Sequence, residues 1–280
     1  MNVSRMIERG ELIIDRQNQR IKLFGHPGGE TEAIHQELCT LAKRESASKL
    51  IVYARKAEKE TFVQTGYREE GRIDGFYAGE NAYLLSWFLT EERAASAAGT
   101  LADEIMQISL AKSGSGEPKS LPNGYRMRAA HAADAEEMAR LYKQVFSTYP
   151  TPLDDPAYIR QTMNESTYYF VIEWNDAIVC AASAEVSRKY RSAELTDCVT
   201  HPDHLGNSLM QPLFTTLQRK MEELGIYYLY TLTRALSLGM NVTAAKHGYQ
   251  YRGRLINNCT IFSGFEDMNI WVKPLKATWE

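Results

Sequence analysis

Apolar residues recur at two spacings along this chain, and the switches between them mark its elements. Met138, Leu141, Tyr142 and Val145 repeat at helical spacing behind Asp134 and Glu137, which fit a capping box. Asp155-Pro156 opens a second helix, because proline suits a first turn. Residues 168–174 and 177–185 are β-rich runs joined by Asn175-Asp176, a hairpin signal. Residues 193–199 continue as a strand. Leu209, Leu213, Leu217, Met221 and Leu224 then line one face of a helix over 207–224, which Gly225 stops. A buried strand at 226–233, a helix at 236–247 ended by Gly248, and strands at 249–261 and 268–272 complete the run. This order predicts an α/β fold with a mixed central sheet flanked by helices.

The first third of the chain reads as a shorter echo. A helix at 31–43, a strand at 49–54 and a helix at 58–65 lead into Gly66-Tyr-Arg-Glu-Glu-Gly-Arg-Ile73, and Gly248-Tyr-Gln-Tyr-Arg-Gly-Arg-Leu255 follows the same kind of unit later. Both segments fit Gly-Tyr-x-x-x-Gly-Arg-apolar, and each precedes an apolar closing segment. The expectation is an internal repeat whose first copy is a degenerate half-unit without the strand–loop–helix chemistry of the second. Between the copies, Lys112 to Gly124 is dominated by Gly, Ser and Pro and reads as a linker. The expected divisions are residues 1–112, a linker at 113–121, and residues 122–280.

Composition narrows the classes of function. The chain has 280 residues, 44% hydrophobic and 24% charged, with a formal net charge of −3. No basic excess suits a polyphosphate partner and no apolar run would span a bilayer, so neither nucleic acid nor membrane is expected. The first ten residues carry Arg5, Glu8 and Arg9 and have no apolar core of a leader, which predicts a cytoplasmic protein. Cys39, Cys180, Cys198 and Cys259 are widely spaced and read as reduced thiols. His201, His204 and His247 lack metal-site spacing, so no metal is expected.

The informative stretch runs from Glu194 to Met210. A strand ends near Val199, a loop holds Pro202 and Gly206, and a helix follows. A helix N-terminus presents unpaired N–H groups and partial positive charge, which seats an anion such as a pyrophosphate, and Gly206 lets backbone approach it. Cys198, Val199, Thr200, His204, Leu205, Gly206, Asn207, Ser208, Leu209 and Met210 are the candidate contacts. An ordinary strand–turn–helix has the same look.

The loop and the order of elements over residues 124–273 resemble the GCN5-related N-acetyltransferase superfamily. That resemblance implies acetyl-CoA as cosubstrate, held by loop amides, and departs from the superfamily pattern where Leu205, Ser208 and Met210 replace its usual residues. Arg234-Ala-Leu-Ser-Leu-Gly-Met-Asn241, Gly248-Tyr-x-Tyr-x-Gly-Arg-Leu-Ile-Asn-Asn258, Gly264-Phe-Glu-Asp-Met-Asn-Ile-Trp-Val-Lys273 and Gly71-Arg-Ile-Asp-Gly-Phe-Tyr77 look more narrowly like the beta-lysine N-acetyltransferases. This implies acetylation of the ε-amine of β-lysine, giving a compatible solute in osmoadaptation, beside a lysine 2,3-aminomutase that supplies the acceptor. Another small amine or polyamine, and noncatalytic acyl-CoA binding, are the alternatives. The N-terminal copy would either pack on the transferase unit or pair two chains as a homodimer.

An alkyl ammonium titrates near about 10.4, so its proton must be removed before attack on a thioester. Glu194 is the first candidate base and Asp197 the second. In a regular strand Glu194, Thr196 and Cys198 share one face and Asp197 the other. Glu194 reads equally as a solvated strand-end charge. A backbone N–H near Val199 would stabilise the thioester oxygen, as the resemblance implies. The superfamily's acidic tyrosine is replaced by Ala244, leaving Asn241, Tyr249, Tyr251 or water as proton donor, and Asn241 also as a cofactor contact. Arg234, Arg254, Asn257, Asn258 and Glu266 are the candidate acceptor-binding residues, each also readable as structural.

Overall fold

The computed structural model describes residues 6, 11–26, 30–114 and 119–275. Positions 115–118, the middle of the expected linker, lie outside these described residues. In chain order the elements are β1 (Leu12–Asp15), β2 (Arg20–Phe24), α1 (Thr31–Arg44), β3 (Lys49–Ala54), α2 (Lys56–Gln64), β4 (Arg68–Tyr77), β5 (Glu80–Phe88), α3 (Glu91–Ala94) and α4 (Gly99–Leu110). There follow β6 (Tyr125–Ala129), α5 (Ala135–Val145), α6 (Pro156–Glu165), β7 (Thr167–Trp174), β8 (Ala177–Ser187), β9 (Ser192–Thr200), α7 (Met210–Glu223), β10 (Tyr228–Arg234), α8 (Leu238–Lys246), β11 (Gln250–Ile261) and β12 (Gly264–Pro274). The strands form one mixed sheet in the order β1-β2-β3-β5-β4-β11-β12-β10-β9-β8-β7-β6.

Two runs within this sheet share a topology. β2 pairs parallel with β3, β3 antiparallel with β5, and β5 antiparallel with β4. β9 pairs parallel with β10, β10 antiparallel with β12, and β12 antiparallel with β11. The runs meet where β4 crosses β11, at the pair Gly71↔Gly253. These are the second glycines of the two Gly-Tyr-x-x-x-Gly-Arg segments. A Cβ on Gly71 would lie 2.5 Å from the Arg252 carbonyl oxygen, and one on Gly253 would lie 2.2 Å from that of Glu70. The crossing admits no side chain at either position.

Past Leu255 the register between β11 and β12 breaks, freeing backbone groups on β11. Side chains of the N-terminal run take them up. The Ile256 amide donates to Glu70 Oε1 at 2.7 Å, and its carbonyl accepts from Lys49 Nζ at 2.7 Å. The Asn258 carbonyl accepts from Arg20 Nη1 at 3.0 Å, and the Thr260 amide donates to Asn18 Oδ1 at 2.8 Å. Lys49 and Glu70 are themselves a sealed ion pair at 2.6 Å. An apolar cluster of Ile51, Tyr53, Phe76, Leu255, Ile261 and Ile270 joins the two runs. Helices α1 and α2 bury Leu38 and Phe62 against one face of the first run. Helix α7 packs Leu213, Phe214, Leu217 and Met221 on the second run, and α5 packs Met138, Leu141 and Tyr142 on its opposite face.

Three strands escape the apolar pattern. β6 is a short edge strand whose Arg126 and Arg128 both donate to Glu173 at 2.8 Å, so its alternation is charged where an interior strand's would be apolar. β1 and β2 have four and five residues and a polar connection without glycine. Asp134 and Glu137 do not form the expected capping box. The Asp134 carboxylate accepts from Arg128 and the His131 amide, and Glu137 accepts from the Ile178 amide.

Candidate active site

Strands β9 and β10 lie side by side for only three rungs, Ser192↔Tyr228, Ala193↔Leu229 and Glu194↔Tyr230, and then part. In the matching run β2 and β3 stay paired for five rungs, Arg20↔Lys49 to Phe24↔Tyr53. The difference has a local cause. Against β8, the register jumps from Ser183↔Thr196 to Ala181↔Val199, so Asp197 and Cys198 together face the single residue Ala182. Asp197 has φ +53°, a left-handed conformation rare within a strand. Its carbonyl accepts from the Tyr142 hydroxyl at 2.5 Å and its carboxylate from Ser183 Oγ at 2.8 Å, with the Tyr149 and Tyr169 side chains close by. A bulge bends and twists the strand that carries it, which draws β9 away from β10.

The bulge also resets which side chains share a face. Glu194 stands opposite Glu185, and Thr196 opposite Ser183, so both lie on the face of Ser183. Asp197 bonds that same serine. Glu194 and Asp197 therefore face one side, and Cys198 turns to the cluster under α7. The regular alternation that would separate the two carboxylates is broken by the extra residue.

Glu194, Asp197, Tyr149 and Tyr230 are hemmed in by protein yet retain partial solvent access, as groups lining a narrow cleft do. Burial raises the Glu194 carboxyl to about 7, Glu185 adds to the rise, and Lys22 opposes it. Burial likewise raises Asp197 to about 7, against the Ser183 hydrogen bond. The Tyr230 phenol lies beside Glu194 and is pushed well above its ordinary value by burial, so it keeps its proton. Such carboxylates hold or release a proton near neutrality.

At the far end of β9 the chain forms a 3-10 turn, Pro202–His204, and α7 begins only at Met210. Between them Gly206 and Ser208 both take positive φ, +84° and +57°. Among the described residues the amides of Gly206, Asn207, Ser208 and Leu209 meet no acceptor. Free amides beside a helix start form an anion-binding concavity. Lys119 Nζ reaches Ser208 Oγ at 3.1 Å and brings a cation to a loop where Leu205 supplies none. Pro212 falls in the first helical turn, where a missing N–H costs nothing. The parted ladder and the open loop fit the pantetheine arm and pyrophosphate of a CoA thioester.

Other candidate residues lie elsewhere. Asn241 is sealed in the core and its amide is fully used. Its Oδ1 accepts from Thr233, Asn269 and Trp271, and its Nδ2 donates to the Arg234 and Ser237 carbonyls. It ties β10, β12 and α8 together and has nothing left for a ligand. Tyr249 is sealed under α7, its hydroxyl on Gln218 at 3.3 Å, and Ala244 is buried beside it. Arg234 and Glu266 satisfy each other in a two-pronged pair at 2.6 and 2.7 Å. Arg254 bonds Asn269 and Asp103. Asn257 donates to the carbonyls of Glu92, Arg93 and Ala95, and Asn258 is buried beneath the N-terminal run. None of these five meets Glu194 or Asp197. The Cys198 thiol is held well above its ordinary pKa by burial, which keeps it a thiol. His204 accepts or donates at 2.8 Å with the Tyr125 hydroxyl beside the loop. Val199 is buried on the α5 face, and Thr200 Oγ1 lies 3.2 Å from Cys180. No cluster of three metal-ligating side chains occurs among the described residues.

A parted parallel ladder with a bulged edge, poised carboxylates and open loop amides is an arrangement for acyl transfer from CoA to a base-assisted amine. Residues 135–249 match the acetyltransferase (GNAT) family. The chain belongs to that family and is an acetyl-CoA-dependent N-acetyltransferase. Its sequence is 38% identical over 261 residues to the N-acetyltransferase YodP of Bacillus subtilis, covering 93% of this chain and 94% of that protein. It is 39% identical over 267 residues to the beta-lysine N(6)-acetyltransferase of Methanosarcina mazei, covering 88% and 98%. It is 32% identical over 273 residues to the enzyme of that name from Methanococcus maripaludis, covering 97% and 99%. Among solved structures, YncA of Salmonella typhimurium with acetyl-CoA aligns at TM-score 0.48 and 16% identity over 56% of this chain and 96% of that one.

Proposed function

We propose that this enzyme acetylates the ε-amine of β-lysine, yielding N-ε-acetyl-β-lysine, a compatible solute made in the cytoplasm from β-lysine supplied by an aminomutase. Two relatives that bear the name beta-lysine N(6)-acetyltransferase, alike over nearly their whole length, support the acceptor. The observation that carries the chemistry is the pair of carboxylates near 7 on one face of β9, where the ladder opens.

Acetyl-CoA supplies an acyl carbon on a thiol leaving group. Loop residues Gly206–Leu209 would hold its pyrophosphate through their amides, with Lys119 adding charge. Glu194, on the last closed rung, takes the proton from the incoming ammonium. Asp197, held by the Ser183 hydroxyl, fixes the bulge and keeps its own carboxylate beside the path of the amine. The backbone N–H groups at Cys198 and Val199, just past the bulge, are the donors nearest the thioester oxygen as negative charge builds there. Ala244 offers no acid for the departing thiolate. A thiol that ionises near about 8.5 leaves without one at neutral pH.

Thiol release from acetyl-CoA, measured over a panel of β-lysine, L-lysine, ornithine, putrescine, cadaverine and spermidine, tests the reading. β-Lysine is expected to have the highest kcat/KM, with the acetyl group on the terminal nitrogen by mass fragmentation. Preference for a polyamine would refute the acceptor. Tight acetyl-CoA binding with no turnover on any amine would refute the chemistry.

A further inference from the structure

The acceptor cleft has a wall that no residue of the transferase run provides. Strand β2 of the N-terminal run lies across it, pinned at both ends. Just before β2, Asn18 Nδ2 donates to the Pro150 carbonyl at 3.1 Å, next to Tyr149, which lies near Asp197. At its end, the Phe24 ring stacks 6.1 Å from Tyr190, at the tip of the β8–β9 hairpin. Ile21 and Leu23 turn to the cluster under α1, so Arg20, Lys22 and Phe24 face the transferase run. Arg20 is already engaged, by Asp15 at 2.8 Å and by the Asn258 carbonyl. Lys22 is different. It is hemmed in and only partly open to solvent, its charge acts on Glu194 and Glu185, and among the described residues its ammonium has no ion-pair or hydrogen-bond partner.

We propose that Lys22 is the anchor for the carboxylate of the acceptor, so that the cleft selects an amino acid over a plain diamine. The inference rests on the reading of the site as an acetyltransferase for a β-lysine-like amine. Lys22 acts on Glu194 and Glu185 but touches neither, so this face sets a cation apart from its carboxylates. β-Lysine is complementary in charge, with a carboxylate at one end to meet Lys22 and a terminal amine at the other to reach Glu194. A long hemmed-in ammonium without a partner is costly unless an anion arrives, and a bound carboxylate meets that need. The N-terminal run thereby contributes to acceptor choice.

The test uses the full chain and matched acceptors that differ by one carboxylate: β-lysine with 1,4-diaminopentane, L-lysine with cadaverine, and ornithine with putrescine. Wild type is expected to favour the amino acid of its preferred pair by about 100-fold in kcat/KM, the scale of one charge-assisted contact. Lys22→Met should erase that preference through KM, leaving kcat/KM for the diamine unchanged or higher on the pH plateau above the Glu194 limb, with the acetyl-CoA Kd and Tm near wild type. Lys22→Arg should keep the preference, and Lys22→Gln repeats the test if the methionine variant fails to fold. Loss of the Lys22 charge should move the acidic limb of both pH profiles up together, but equal losses on both members of a pair would mean that Lys22 only tunes Glu194, and would overturn the proposal. A wild type with no preference for the carboxylate would overturn it as well. If the preference and its dependence on Lys22 appear with L-lysine or ornithine but not β-lysine, the anchor stands and the β-lysine reading falls. No turnover on any pair sinks both.

Discussion

Replacing Glu194 with glutamine removes a proton acceptor while keeping shape and polarity. Moving a proton from an ammonium near 10.4 to an ordinary carboxylate near 4.5 is uphill by roughly 6 pK units, or about 8 kcal/mol. Burial lifts Glu194 to about 7. The gap then shrinks to roughly 3.5 units, so confinement contributes about 3 kcal/mol to the transfer. Glutamine forfeits the whole route and leaves only amine that has lost its proton to water. Positioned bases typically contribute about 10²- to 10⁴-fold, so kcat/KM at pH 7 should fall about 10²- to 10³-fold in Glu194→Gln. The shape of the pH profile is more telling than the size of the loss. Wild-type kcat/KM should rise with pH through an acidic limb near 7 as Glu194 ionises. In the variant that limb should vanish, and the rate should climb tenfold per pH unit toward the acceptor's own pKa. Stopped-assay thiol release between pH 5.5 and 10, with acetyl-CoA affinity measured in parallel, reads both. A variant within threefold of wild type at pH 7 that keeps the limb near 7 would refute the assignment. If Asp197→Asn removes that limb instead, the base is Asp197.

The same shifts fix how stability depends on pH. Glu194 and Asp197 have folded-state values above their unfolded ones, so the native state holds more protons between roughly pH 4 and 7, and their favourable contribution is lost as pH rises through about 7. Relative to a Glu194→Gln/Asp197→Asn double variant, ligand-free wild type should lose roughly 5 kcal/mol between pH 5 and pH 8 in urea unfolding, about half from each carboxyl; an unchanged difference would contradict the burial of these charges. Asn241→Ala strands the Thr233, Asn269 and Trp271 donors in the core. It should cost about 3–5 kcal/mol in stability, with the KM of any surviving enzyme unmoved, and a stable variant with a raised KM would make Asn241 a ligand contact after all. A chain starting near Leu121 leaves four backbone groups of Ile256, Asn258 and Thr260 without partners. It should be insoluble or molten by near-UV circular dichroism, and a folded, fully active fragment would deny the N-terminal run any part in the site.

Much of this was legible in the chain because local physics decided it. The left-handed Asn175-Asp176 pair, both at positive φ, closes its hairpin where the dipeptide said it would, and Asp155 caps α6 ahead of its proline. Glu194 could be singled out because it precedes an unusual strand–loop–helix, and Gly206 because its backbone must turn. The bulge at Asp197 could not be read, since no residue of Leu-Thr-Asp-Cys-Val announces a left-handed aspartate. It is held from outside by Tyr142 and Ser183, which come from other elements. Lys22 was invisible for a related reason: β1 and β2 are too short to show a period, and their meaning arises only when β2 is laid against the β8–β9 hairpin. Asn241 and Asn257 drew notice as polar residues in family-like segments. Their segments need them to satisfy buried backbone and side-chain groups, which gives the same pattern in sequence as a binding role.

The two topologically matching runs differ in one respect that separates a binding site from a wall. In the N-terminal run β2 is flush against β3 for its whole length, so no slot exists between parallel strands. In the C-terminal run an extra residue makes β9 diverge after Glu194. The first run turns its outward face toward the transferase run. That face carries Arg20, which braces β11, and Lys22, which looks across the cleft at Glu194. The glycine crossing at Gly71 and Gly253 holds the two faces at a fixed distance, because any side chain there would push them apart. On the proposal that Lys22 anchors the acceptor, opening this crossing should weaken the preference for the amino acid of a matched pair, and a folded Gly253→Ala chain with the wild-type preference would refute that link.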